Sequence, residues 1–233
     1  RWLVFMDEGT VGRELCQRLR GQGHLVREIY REPTQVAHSD SDAFYQLAPT
    51  QRDELREVFQ RESAVEDPPL RGLVYLWGLD VPNADELTPE ALDGSLTLTS
   101  EAPLAIVQAW DELSASPTTE LILVTHGAQS ADAAPEQTRV AQAPLIGLGR
   151  VVISEYGKLH CKLVDLPHKL SAIDIDCLAQ ELDADDDEDE VQWRAGQRYA
   201  HRFVPQVQRR LTREAVQTLP SRLCPGATAS IDE

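Results

Sequence analysis

The chain has 233 residues, and its 39 Asp and Glu against 22 Lys and Arg give a formal net charge of −17. Such a surface repels phosphate backbones and anionic lipid, which argues against nucleic-acid and membrane-surface functions. With 42% hydrophobic and 26% charged residues the composition is that of a globular domain, without a signal-peptide pattern or an apolar run near the roughly 18 residues of a membrane span.

Residue 1 leads directly into Trp2–Met6, an apolar strand, which predicts a piece of a longer polypeptide. A glycine-containing turn follows, and Val11, Leu15 and Leu19 mark one face of a helix over Val11–Arg20. Gly21 and Gly23 end it, and Leu25–Tyr30 suits a second strand. Residues 31–48 are polar and mixed and read as a loop or short insertion. Thr50, with Asp53 three residues on, resembles a capping box, opening a helix that buries Leu55, Val58 and Phe59. Pro68-Pro69 breaks the chain before a strand over Gly72–Trp77. Thr88-Pro89-Glu90 is a helix start with an N-cap and a proline at the first position. Helical character then runs to about Leu113, with a break expected near Gly94. Glu120–Thr125 is the next strand, Ala143–Glu155 a long helix, Cys161–Leu166 a strand and 173–182 a helix. The acidic run Asp183–Glu190 reads as a solvated loop. Val191–Arg194 and Arg198–Val204 read as short strands joined by a turn at Gly196. The regular apolar pattern ends at Pro205, so 205–233 reads as a linker. Alternating strands and helices of this kind predict an α/β fold, a mostly parallel sheet flanked by helices.

The first strand–turn–helix is where a dinucleotide-binding fold carries G-x-G-x-x-G. This chain reads Asp7-Glu8-Gly9-Thr10-Val11-Gly12, so the second and third glycines remain and the first is an aspartate. Two carboxylates at the turn disfavour a pyrophosphate, since like charges a few ångströms apart cost about 1–4 kcal/mol per pair. Gly147-Leu-Gly149 lies inside a helical pattern, where close packing on the sheet is expected. Ketone reduction needs a proton donor, supplied in short-chain reductases by a tyrosine with a lysine four residues later. Here Tyr30, Tyr45, Tyr75, Tyr156 and Tyr199 are followed at that spacing by Thr34, Pro49, Leu79, His160 and Phe203. Tyr156 and Lys158, two apart, diverge on a helix. Asp183-Ala-Asp185-Asp-Asp187 imitates the start of a calcium loop, but its sixth position is Glu188 and its twelfth Arg194. The six histidines lack zinc spacing, and there is no G-x-S-x-G elbow. No catalytic residue and no metal site is expected. Cys16, Cys161, Cys177 and Cys224 form no CxxC pair and fit a reducing, cytoplasmic setting as buried thiols.

The segments Trp2–Gly12, Gly72–Asp80, Leu121–Gln129 and Gln142–Val151 occur in the order found in polyketide synthase ketoreductases, as do Leu163–Leu166 and Arg198–Phe203. QAPLIGLGR is the most specific of them. The chain resembles the structural, or pseudo-ketoreductase, half of that family over most of residues 1–204, with 31–70 and the tail outside the match. The resemblance implies a truncated Rossmann-like, short-chain-dehydrogenase/reductase-like subdomain without bound cofactor. NADPH and a Ser-Tyr-Lys set are then expected in a partner catalytic half. By analogy the reductase serine falls near Thr125–Gly127, and the tyrosine and lysine on the Ala143–Glu155 helix, which has neither. Implied partners are that catalytic half and neighbouring enoylreductase, dehydratase and acyl-carrier domains, with Cys224–Asp232 resembling entry into an enoylreductase. The implied function is a noncatalytic scaffold that stabilises the catalytic half and organises the reducing domains, leaving an apolar face at the terminal strands. The alternatives are a divergent NAD(P)-binding short-chain reductase and an acidic protein-interaction module.

Overall fold

A computed structural model describes residues 1–32, 44–83, 86–113, 119–129 and 138–202. Their strands are β1 (Trp2–Phe5), β2 (Val26–Arg31), β3 (Phe44–Leu47), β4 (Gly72–Tyr75), β5 (Thr119–His126), β6 (Leu159–Leu166), β7 (Glu190–Arg194) and β8 (Gln197–Ala200). They form one sheet in the order β3-β2-β1-β4-β5-β6-β7-β8. Neighbours run parallel except for the β7–β8 pair. The helices are α1 (Val11–Gly21), α2 (Arg52–Ser63), α3 (Pro89–Leu96), α4 (Ala102–Asp111), α5 (Ala143–Glu155) and α6 (Ala172–Glu181).

Side chains alternate across a strand, so each central strand feeds two cores. Leu3, Phe5, Leu73, Tyr75, Leu121, Leu123 and Leu163 join the residues of α2, α4 and α5 on one face. Trp2, Val4, Val74, Ile122, Val124 and Val164 join those of α1 and α6 on the other. A sheet covered on both faces is why its strands read as continuous apolar runs. Residues Arg1–Ala200 make one compact unit; the expected linker 205–233 lies outside the described residues, as do Phe203 and Val204.

Several elements depart from the sequence expectation. The segment expected to be loop over 31–48 contains β3, whose Ile29↔Tyr45 register extends the parallel sheet beyond β2. Its four residues are mostly half-exposed, so an edge position, not apolar periodicity, defines it. Thr50 does not cap α2: the N-cap is Gln51, with no side-chain hydrogen bond. Thr88 does cap α3, accepting from Ala91 N–H at 3.2 Å. Gly94 stays helical, and the irregularity comes later, as a π-helical turn over Thr97–Glu101. Its cause is Pro103, which has no N–H to give the Thr99 carbonyl and whose ring crowds it. Ala102 N–H accordingly bonds the Thr97 carbonyl, five residues back.

The acidic run is only partly solvated. Asp183 pairs with Arg71 at 2.6 Å, Asp186 with Lys162 and Arg198, and Glu190, buried, with Arg150 at 2.7 Å. The terminal strands meet expectation only in part. β7 is largely buried and β8 exposes Tyr199, while other exposed large apolar side chains include Leu92, Leu96, Leu104 and Val151 on α3, α4 and α5. The β7–β8 turn is a two-residue hairpin with Ala195 and Gly196 both at positive φ, 50° and 73°. That is the geometry whose twist matches the flanking strands. Cys16, Cys161 and Cys177 are free and buried, and burial pushes the Cys16 and Cys161 thiols up to about 12.

Candidate functional site at the carboxyl ends of the strands

In an open α/β sheet a ligand binds beyond the strands' carboxyl ends, where the strand order reverses. Here that crevice lies between β1 and β4. It holds a cleft of about 350 Å³ lined by Asp7, Gly9, Asp80, His126 and Ser171, among others.

Asp7 leaves β1 and turns its carboxylate onto the start of α1. Oδ1 accepts from Gly12 N–H at 2.6 Å and Oδ2 from Val11 N–H at 3.2 Å. These amides are the donors a phosphate would use, at the positive end of the helix dipole. Burial pushes the Asp7 carboxyl up, opposed by the backbone N–H groups of Gly12, Val11, Asp7 and Gly9. Glu8, expected to act with Asp7, points elsewhere. Its exposed carboxylate meets Arg31 at 2.5 Å, and its N–H donates to Asp80 Oδ1 at 2.9 Å.

Asp80 closes the neighbouring loop. It follows β4 in a 3-10 turn over Trp77–Asp80, and its Oδ2 lies 3.0 Å from Arg31. Arg31 ends β2, where a dinucleotide fold places the residue that recognises the ribose. In this chain it is drawn inward between Glu8 and Asp80. Burial pushes the Asp80 carboxyl up to about 7, the Glu8 N–H and Arg31 offsetting only part of that.

At the ends of β5 and β6 a second carboxylate is committed. Thr125, 2% exposed, donates its hydroxyl to Asp165 Oδ1 at 2.6 Å. The same carboxylate accepts from Ala128 N–H at 3.0 Å and Gln129 N–H at 3.2 Å, and pairs with Arg194 of β7. The Thr125–Gly127 stretch, near which the resemblance implies a serine, thus begins in a structural knot that ties the β5 turn to β6 and β7. His126 follows: its N–H donates to Gln142 Oε1 at 2.9 Å, and its ring stacks on His168 at 6.5 Å. Burial, Arg139 and His168 push the His126 imidazole down to about 4. On α5, Gly149 packs against the sheet as expected, a Cβ there standing 2.6 Å from Leu163 Cδ2, whereas Gly147 faces open space.

The residues present do not fit a dinucleotide: the pyrophosphate donors hold Asp7, the ribose-end arginine holds two acids, and α5 has no tyrosine or lysine. Among the described residues no group of three or more His, Cys, Asp or Glu could hold a metal ion. No helix among them is long and apolar enough to cross a membrane. Of the turn singled out in the sequence, Asp7 and Gly9 line the cleft, Gly12 N–H is held by Asp7 and Glu8 turns to Arg31, while Asp80, His126, Gln142 and Asp165 were missed. Asp80 and Asp165 each stand at or just beyond the carboxyl end of an apolar strand, which was the signal available.

The family model described as "Polyketide synthase extender module SpnB, Rossmann fold domain" matches residues 31–203. It includes 31–70, which lie outside the resemblance read from the sequence, and begins after β1. A subunit of the phenolphthiocerol/phthiocerol polyketide synthase of Mycobacterium tuberculosis is 35% identical over 122 residues, 52% of this chain and 6% of that protein. The chain therefore spans a small fraction of that relative's length. Among solved structures, the "Adenylation, ketoreductase, and pseudo Asub multidomain structure of a keto acid-selecting NRPS module" superposes with a TM-score of 0.70 at 16% identity, covering 85% of this chain and 16% of that one. A "C2-type Ketoreductase from a Modular Polyketide Synthase" gives 0.64 at 24%, covering 86% and 38%. At such identities the superpositions establish the fold, a truncated Rossmann sheet of the short-chain dehydrogenase/reductase kind. With the family match extending over well more than half the chain, this polypeptide belongs to the Rossmann-fold domains of polyketide synthase extender modules.

Proposed function

We propose that this domain is a noncatalytic structural subdomain of a polyketide synthase reducing module, which packs against a catalytic ketoreductase half and holds it folded. One observation carries the reading. At both places where a reductase needs a group free for its ligands, an internal carboxylate is already bound: Asp7 on Val11 and Gly12 N–H, and Asp165 on the Thr125 hydroxyl. A site satisfied from within stabilises its own fold and has no donor left for a cofactor or a carbonyl. The domain binds neither NADPH nor NADH, and the cofactor belongs to the partner half. Enoylreductase, dehydratase and carrier domains of the same polypeptide are its further neighbours, in the cytoplasm.

The exposed apolar side chains of α3, α4 and α5 suit mutual burial with another domain better than solitary exposure. Binding of a partner to the folded state then stabilises both pieces. The test is to express the downstream catalytic half with and without residues 1–204 and measure its folding and NADPH-dependent reduction. The expected result is loss of folded, active protein without them. Full activity of the catalytic half alone refutes the scaffold role, and micromolar NADPH binding by this domain refutes the cofactor reading.

A further inference from the structure

The misfit between the β1–α1 turn and a dinucleotide comes from one side chain in an otherwise complete cradle. Val11 and Gly12 present their N–H groups at the free end of an 11-residue helix, and the N-cap, Thr10, gives them no side-chain hydrogen bond. Asp7 supplies the missing anion, with both carboxylate oxygens engaged. The two surviving glycines make room for it. A Cβ on Gly9 would stand 2.7 Å from Asp7 Oδ2, and one on Gly12 2.9 Å from Oδ1. In a nucleotide-binding turn that close backbone approach admits a phosphate; here it admits a carboxylate of the same chain. His126, 8% exposed, also lines the cleft; its ring nitrogens make no hydrogen bond of ordinary geometry, and the backbone groups of His168 and Leu79 act on it.

We propose that Asp7 is a built-in anion in the phosphate position, so that the chain keeps a self-occupied pyrophosphate cradle that is latent, not lost. The proposal rests on the reading that the wild-type cleft takes no dinucleotide, and it adds the cause and its reversibility. A tethered carboxylate competes at an effective concentration in the millimolar range or above, and its charge-assisted bonds to the amides are strong. Glu8, Glu14 and Asp80 around the turn make the field less favourable still to a second anion, and Arg31, the nearby cation, is held by two of them. Removing Asp7 therefore opens the cradle to inorganic pyrophosphate without creating an enzyme, since α5 still lacks a proton donor.

The test is amide NMR on the whole chain with sodium pyrophosphate as the probe. In the wild type, the Val11 and Gly12 amide protons are expected to follow the Asp7 carboxyl as acid is added and to ignore millimolar pyrophosphate. In Asp7→Gly, the same two amides are expected to shift saturably, with affinity about tenfold or more above the wild type, and not to respond to sodium chloride of equal ionic strength. A folded Asp7→Gly without that response overturns the proposal, as does a wild type that saturates like the variant. Where Asp7→Gly does not fold, the wild-type titration decides by itself: amides that ignore the Asp7 titration refute the built-in anion. NADPH binding to the wild type with Val11 and Gly12 unmoved would defeat the underlying reading while supporting this one, because both amides would still belong to Asp7.

Discussion

The Tyr75 hydroxyl donates to the Leu98 carbonyl across 2.6 Å, inside a fully buried pocket. The relationship repairs a defect created by sequence. Because Ala102 N–H bonds Thr97 in the π-helical turn, the Leu98 carbonyl loses the helical donor four residues on. Tyr75 replaces it. Tyr75→Phe leaves a buried carbonyl unsatisfied and is expected to cost about 1–3 kcal/mol. Urea unfolding should show a lower midpoint with an unchanged slope; an unchanged midpoint would mean that water satisfies Leu98 instead.

Gly147 and Gly149 are expected to respond in opposite directions to the same change. A Cβ on Gly147 meets nothing within 4 Å, whereas one on Gly149 meets Leu163 Cγ at 3.0 Å and Leu123 Cδ1 at 3.1 Å, besides Leu163 Cδ2. Gly147→Ala should stabilise by about 0.5–1 kcal/mol through helix propensity. Gly149→Ala should destabilise by about 1–3 kcal/mol through overpacking. Thermal melts of the two variants side by side check the signs.

Glu181 is the buried anchor of the terminal hairpin. Its carboxylate meets Lys162 at 3.0 Å, Arg198 at 2.7 Å and the Trp193 indole N–H at 3.0 Å. Burial alone would raise its pKa, but Arg198 and Lys162 outweigh that and hold the carboxyl below its ordinary range. Its stabilisation is therefore present above the ordinary glutamate range and lost as acid protonates the folded state. Glu181→Ala leaves Lys162 and Arg198 with Asp186 and removes the acceptor of the Trp193 indole N–H, and should cost about 1–3 kcal/mol. Replacing Asp185 and Asp187 by Ser should move stability by no more than about 0.5 kcal/mol. Calcium should not raise the melting temperature, because Asp183 and Asp186 are engaged by Arg71, Lys162 and Arg198.

Asp80 and His126 pull the pH profile in opposite directions. With its carboxyl pushed up to about 7, folded Asp80 takes up a proton before the unfolded chain does. Its contribution is greatest below the ordinary aspartate pKa and falls as pH rises toward 7. His126, pushed down to about 4, contributes fully above the ordinary histidine value of 6.5 and loses that contribution as pH falls to 4. The two offset each other over the range they share, and above about 6.5 the Asp80 contribution is no longer offset. In Asp80→Asn the decline of melting temperature above that point should flatten. A carboxyl carbon titration of Asp80 with its midpoint near 4 would contradict the assignment.

Much of the fold was legible because it depends on local chemistry. The doubly covered strands announced themselves as apolar runs, α5 came out over Ala143–Glu155 to the residue, and Thr88-Pro89 marked the start of α3. The missing glycine at Asp7 and the missing tyrosine–lysine pair were also readable, since each motif is defined by identity at fixed spacing. β3 was not, because an edge strand half-exposed to solvent needs its neighbour's hydrogen bonds more than an apolar pattern of its own. The same limit applies to the site. Sequence gives the number of acids but not their partners, so Asp183 and Asp186 read as solvated charge until Arg71, just before β4, Lys162 of β6 and Arg198 of β8 came beside them. Asp7 read as a repellent carboxylate, and only the turn's geometry brought it onto the amides of Val11 and Gly12, where the same charge becomes the occupant. Identity and spacing are properties of the chain; what a buried charge does is decided by which donors the tertiary fold places within about 3 Å of it.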